Sequence, residues 1–142
     1  VYNIHLASNW FNSSDYSFMQ NPQQEKLKEG ILGITKRMRT SYKKRAEEVD
    51  VIKEHMLSSP YPLIVCGDFN DTPLSYAYHS IKGNLVDAFS QSGKSIGSSF
   101  VKIPALRIDY ILHDAEFKST NYQKYNQILS DHYAVSCEIT TP

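Results

Sequence analysis

No stretch of the sequence is apolar for long enough to cross a bilayer as a helix, and neither sign of charge prevails. Fifteen basic side chains balance 15 acidic ones, for a formal net charge of zero, so there is no whole-molecule field of the kind that draws a basic protein onto nucleic acid. Cysteine is sparse: Cys66 and Cys137 sit in apolar, strand-like runs without metal-ligand spacing and are expected to be two buried thiols. There is no initiator Met, signal-like segment, internal repeat or low-complexity tail. The chain opens in mid-strand on Val1–Ala7, so a fragment of a longer protein is expected, with any anchor or targeting signal outside it. The 142 residues fit one domain. A compact fold of this size buries about 70% of its unfolded surface.

The alternation of residues 1–7 predicts a strand, and 8–24 a polar loop carrying Trp10, Phe11, Tyr16 and Phe18, which either covers the core or forms a rim. From Glu25 to about Leu57 the periodicity is helical, with stripes Leu27, Ile31, Ile34, Met38 and Val49, Ile52, Met56, and a break near Thr40-Ser41. The dense basic run there, Lys36-Arg37-Met38-Arg39 and Lys43-Lys44-Arg45, suits either phosphate contacts or a solvated face paired with Glu47, Glu48, Asp50 and Glu54. A buried strand over 62–66 ends at Gly67, and a short helix spans 73–81 with Asp71 or Thr72 as cap. Strands follow at 99–103, 107–112, 116–123 and 133–139. That order indicates an α/β or α+β layered domain.

Gly67-Asp68-Phe69-Asn70 places a carboxylate and an amide where the buried strand ends, on a rigid edge facing a loop. Asp109 interrupts the apolar run Ile108-Tyr110-Ile111-Leu112, where a carboxylate is costly without a partner. His132, at the entrance to the last strand, is the natural partner. A carboxylate on one ring nitrogen would orient the imidazole, raise its pKa and leave the other nitrogen as a general base. Arg107 or the backbone is the alternative partner. Asp131 points away from His132 unless the chain bends there, when its carboxylate suits Mg²⁺, Mn²⁺ or Ca²⁺. His5 shares a strand face with Asn3 and suits a phosphate ligand or general acid, whereas His55, His79 and His113 are expected at the surface. A Gly-x-Ser-x-Gly elbow, a Gly-x-x-x-x-Gly-Lys loop and a Cys-x-x-Cys pair are all missing, which leaves direct attack by water.

Taken in order, Asn3-Ile4-His5-Leu6, Gly67-Asp68-Phe69-Asn70, Arg107-Ile108-Asp109-Tyr110 and Ser130-Asp131-His132 resemble the motifs of the endonuclease/exonuclease/phosphatase superfamily. That superfamily includes DNase I-like nucleases, apurinic-site endonucleases, sphingomyelinases and inositol-polyphosphate 5-phosphatases. The likeness runs from residue 1 to about residue 139 and is nearest to predicted hydrolases of Bacteroidetes-type bacteria, some with N-terminal membrane anchors. It implies an α/β (α+β layered) fold with one mixed sheet flanked by helices. Residues 1–142 would form a single domain, the C-terminal half of a DNase I-like four-layer β-sandwich.

The resemblance further implies a phosphoric ester hydrolase dependent on Mg²⁺ or Mn²⁺. His5 would contact the scissile phosphate, Asp68 position or deprotonate water, Asn70 hold a phosphate oxygen and Asp109 orient His132. Asp68, Asn70 and Asp131 would serve the metal site, and either Asp68 or His132 would be the base. The family's early Asn and the metal-binding Glu of its Gln-Glu motif do not occur before the first strand here; Gln24-Glu25 follows it, in the wrong order. The 142 residues alone are therefore expected to be inactive or weak, with an exposed sheet face that meets a missing N-terminal half or a second copy. Nuclease-like phosphodiester hydrolysis is the first expectation and lipid or inositol phosphate hydrolysis the second. A noncatalytic binding or assembly module is the third, marked by no affinity for divalent metal.

Overall fold

The computed structural model describes residues 1–9, 11, 13–20, 27–94 and 96–141. Readings that fall on Trp10, on Gln24-Glu25 and on a helix start at Glu25 lie outside these. The elements run β1 (Tyr2–His5), α1 (Ser13–Gln20), α2 (Leu27–Leu57), β2 (Ile64–Asp68), α3 (Tyr76–Lys82), β3 (Val86–Asp87), α4 (Ala88–Ser92), β4 (Asp109–His113), β5 (Lys118–Lys124) and β6 (Val135–Thr140). This is the expected mixed α/β arrangement. Four strands in the order β1-β2-β4-β3 form a mixed sheet, with β1 parallel to β2 and the other pairs antiparallel, and β5-β6 is a separate two-stranded ribbon.

Register explains the two faces of the sheet. Tyr2, Val65 and Leu112 form one row across three strands, and Ile4, Gly67 and Tyr110 the next. In-register neighbours share a face, so these rows line the side that packs on the helices. Val65, Tyr110 and Leu112 join Val49 and Met56 of α2 and Ala77, Tyr78 and Ile81 of α3 in one buried cluster. Gly67 lets β1 and β2 approach closely. Its φ is +138° and a Cβ there would lie 1.9 Å from the Ile4 carbonyl oxygen. Only glycine meets both conditions.

Several local expectations change. The stretch 8–24 contains α1, held by contacts with α2: Asp15 pairs with Arg37, and Phe18 packs where Gly30 lacks a side chain. No break interrupts α2 at Thr40-Ser41, because Thr40 Oγ1 donates to Lys36 O (3.2 Å) and Ser41 Oγ to Ser8 O (2.9 Å) without disturbing the backbone ladder. Of its first apolar stripe, Ile31 is exposed, and Ile34 and Met38 are half-buried. The cap of α3 is Ser75, whose Oγ accepts from Tyr78 N; Asp71 is engaged elsewhere.

Residues 99–103 form no strand, only a bridge between Phe100 and His132. The short β3 and α4 went unanticipated; Asp87 caps α4 by accepting from Phe89 N at 2.9 Å. His113 is fully buried rather than at the surface, because β4 lies between β2 and β3 and both flank its last residue. Cys66 and Cys137 are free and half-buried rather than buried. No helix among the described residues is long and apolar enough to cross a membrane.

Candidate functional site

The sheet's other face ends in a row of chemistry. His5 closes β1 in register with Asp68 at the end of β2, and Asp68 is in register with Asp109 at the start of β4. Three strands thus deliver an imidazole and two carboxylates side by side. His5 Nε2 lies 3.6 Å from Asp68 Oδ2. His132 arrives from outside the sheet: its Nε2 is 3.8 Å from Asp68 Oδ2 and its Nδ1 is 2.9 Å from Asp109 Oδ2. Asp68, Asp109 and His132 offer one donor atom each, all within 4.8 Å of one another.

The carboxylates are about four-fifths buried, while the His5 side chain is 76% exposed and open to a ligand. Burial pushes the Asp68 carboxyl above its ordinary range, and the Asp109 charge adds to this. The Asn70 backbone N–H, His132 and His5 oppose the shift. Asn70 adopts a left-handed backbone conformation (φ +50°), which Asn tolerates, and so turns its N–H onto Asp68 Oδ1 at 2.8 Å. Its side-chain amide donates to Leu6 O (2.9 Å) and Asp68 Oδ2 (3.0 Å). A phosphate oxygen would have to displace one of these.

Arg107 and Asp131 take up separate positions. Arg107 does not pair with Asp109; it donates to Asp87 at 2.8 and 3.1 Å in a buried pair beneath the sheet edge. Asp131 lines the same cavity, but it stands apart from the three-residue cluster and its carboxylate meets Lys102 Nζ at 3.4 Å. The chain does turn there, through Ser130 Oγ accepting from His132 N (3.0 Å), and this turn aims the imidazole inward and Asp131 toward the rim.

Other supporting residues were not foreseen. Ser99 is fully buried, and its Oγ lies 3.0 Å from both Ile108 N and Asp109 N as acceptor. Its carbonyl accepts from Tyr133 N at 2.7 Å, so one residue ties the backbone of Asp109 to that beside His132. Within a Ser/Gly-rich connection it carried no signal. Arg45 had one, but a misleading one: placed in a basic run, it is fully buried and donates to Asp71 Oδ2 (3.1 Å), Ala7 O (2.7 Å) and Asn9 Oδ1 (3.1 Å). Glu48 accepts from Ala7 N at 2.8 Å, so α2 grips the loop that leaves His5.

A mixed sheet with helices packed on one face and this row at its strand ends is a DNase I-like α/β architecture. Residues 35–132 match the Endonuclease/Exonuclease/phosphatase family, well over half of the chain, and the chain belongs to that family. Solved structures share its fold. A mannosyl-6-phosphatase of Bacteroides thetaiotaomicron is 24% identical with a TM-score of 0.55, over 69% of this chain and 46% of that one. An endonuclease/exonuclease/phosphatase family protein of the same organism is 23% identical with a TM-score of 0.56, over 71% and 45%. The catalytic domain of human nocturnin, solved with a bound sulfate anion, is 21% identical with a TM-score of 0.53, over 73% and 41%. The chain spans less than half the length of each. No curated protein matches it.

Proposed function

We propose that this protein hydrolyses phosphate esters by direct attack of water, with a divalent metal, Mg²⁺ or Mn²⁺, as cofactor. Family membership supports the reaction class, and endonuclease/exonuclease/phosphatase enzymes generally use divalent metals. The observation that carries the reading is the convergence of Asp68, Asp109 and His132. Two largely buried carboxylates repel one another across this site, and oxygen donors of that kind suit a hard cation. Asp68 would hold the ion, with Asn70 beside it and Asp131 at the rim. When bound, the ion supplies positive charge against the negative charge that develops on the phosphoryl oxygens.

The chain's own groups divide the remaining work. Asp109 accepts from His132 Nδ1–H, which leaves the lone pair on Nε2, facing the cavity, to take a proton from water. Asp68 positions that water, and Asn70 fixes the carboxylate through its backbone and side chain. His5, the most exposed of the set, meets the phosphate and donates a hydrogen bond to it. Nuclease-like phosphodiesters are the first substrates to test, and lipid and inositol phosphates the second. Mn²⁺ binding to the full-length protein, followed by electron paramagnetic resonance, tests the metal site. Binding that is lost in Asp68→Ala supports it; no binding, or binding untouched by that substitution, contradicts it.

A further inference from the structure

The chemistry above uses part of the lining of a cavity of about 540 Å³; Phe11, Tyr16 and Phe100 add an aromatic wall to it. Phe11 meets Tyr16 edge-on with ring centres 5.9 Å apart, Tyr16 is tilted against Phe100 at 6.2 Å, and Phe100 meets the His132 ring edge-on at 5.3 Å. We propose that Phe11 and Tyr16 form a ring-binding subsite beside the phosphate centre, so that the ester cleaved there carries a sugar or nucleoside ring. The proposal rests on the phosphoesterase reading.

The wall is a built feature rather than a loose loop. Asp15, 5% exposed, fixes α1 to Arg37 of α2, and the Phe18 ring occupies the space a side chain at Gly30 would need, 2.7 Å from the position of its Cβ. Gly30 lowers the helix propensity of α2, and the docking of α1 gives that glycine a purpose. At the other end Phe100 is 7% exposed and bridged to the His132 backbone, so the aromatic row stands at a fixed distance from the imidazole.

Phe11 and Tyr16 themselves are only half-buried. Half-exposed aromatic rings beside a polar centre are where a ligand ring gains most from stacking. The rim adds polar partners for hydroxyl groups: Lys102 Nζ sits 5.0 Å from the Tyr16 ring centre and 3.4 Å from Asp131. An apolar ring face beside charged hydrogen-bonding groups matches a hydroxylated ring.

The test measures, with Mn²⁺ present, the affinity of the full-length protein for a hexose phosphate, a nucleoside monophosphate and ring-free glycerol phosphate by isothermal titration. The same is done for Phe11→Ala, Tyr16→Ala and Tyr16→Leu, the last keeping apolar bulk without a ring, with folding of each checked by thermal melting. At least one ring-bearing ester is expected to bind about tenfold more tightly than glycerol phosphate, with that ratio falling toward unity in all three variants. The hexose and nucleoside arms tell which ring is preferred. Equal affinity for ring-bearing and ring-free esters, or a ratio that survives the substitutions, overturns the subsite and leaves the phosphoesterase reading standing. Failure of all three esters to bind overturns both.

Discussion

His132 Nδ1 donates to Asp109 Oδ2 at 2.9 Å, and the same imidazole presents Nε2 to Asp68 at 3.8 Å. One carboxylate therefore sets the tautomer while the other shares the reacting space. Asp109→Asn keeps the shape and removes the acceptor charge, so kcat of the full-length protein is expected to fall roughly 10²- to 10⁴-fold. Ser99→Ala, which releases the Asp109 backbone, should give a smaller loss, confined to kcat and recovered in Ser99→Thr. A loss in KM alone for either residue would remove them from this role.

Gly67→Ala should prevent β1 and β2 from pairing. A methyl group would lie 1.9 Å from the Ile4 carbonyl oxygen at a backbone angle that disfavours any side chain. The expected destabilisation is roughly 3 kcal/mol or more. Urea unfolding measures it, and an unchanged midpoint would mean the strands are not this close.

Arg45→Ala leaves the Asp71 carboxylate, 6% exposed, without its cation. Burial already raises the Asp71 carboxyl pKa, and Arg45 is the chief group opposing that shift. Breaking such a pair costs about 3–5 kcal/mol. Chemical denaturation should register a loss of that size; a loss below about 1 kcal/mol, the usual worth of a surface pair, would contradict the buried placement.

Alkaline pH should unfold the domain through its tyrosines. The Tyr122 hydroxyl is buried without a hydrogen-bond partner among the described residues, and burial pushes its pKa from 10.0 up to about 12. Tyr78 and Tyr110 are pushed up as well, for the same first reason. Between pH 10 and about 12 the unfolded chain has released a proton that folded Tyr122 still holds, so stability falls as pH rises through this window. Tyr122→Phe should flatten that fall and add about 1 kcal/mol near neutral pH by removing an unsatisfied hydroxyl. Urea midpoints across the range decide it, and an identical pH slope in the variant would refute it.

Much of the site was legible because its signals are local. The apolar run before Gly67 predicts a buried strand, and a strand end fixes where Asp68 and Asn70 emerge. Asp109, anomalous in its apolar run, required a partner, and His132 at the entrance to the last strand provides it. What stayed hidden depends on contacts distant in sequence. The composition of α1 is polar and reads as loop; Asp15–Arg37 and the fit of Phe18 against Gly30 hold it on α2. Arg45 looks solvated among lysines until the loop after β1 and Asp71 close around it. Residues 99–103 have strand-like composition but pair only at Phe100, and the buried state of His113 follows from β3, a strand too short to leave a periodic trace.

The most direct test of the central claim is hydrolysis of a chromogenic phosphodiester by the full-length protein, with and without Mg²⁺ or Mn²⁺, alongside Asp68→Ala and His132→Ala. Metal-dependent turnover that falls by at least about 10²-fold in both variants is expected. Turnover indifferent to both substitutions, or none with either metal, would contradict it and favour a binding module that keeps the fold without the chemistry.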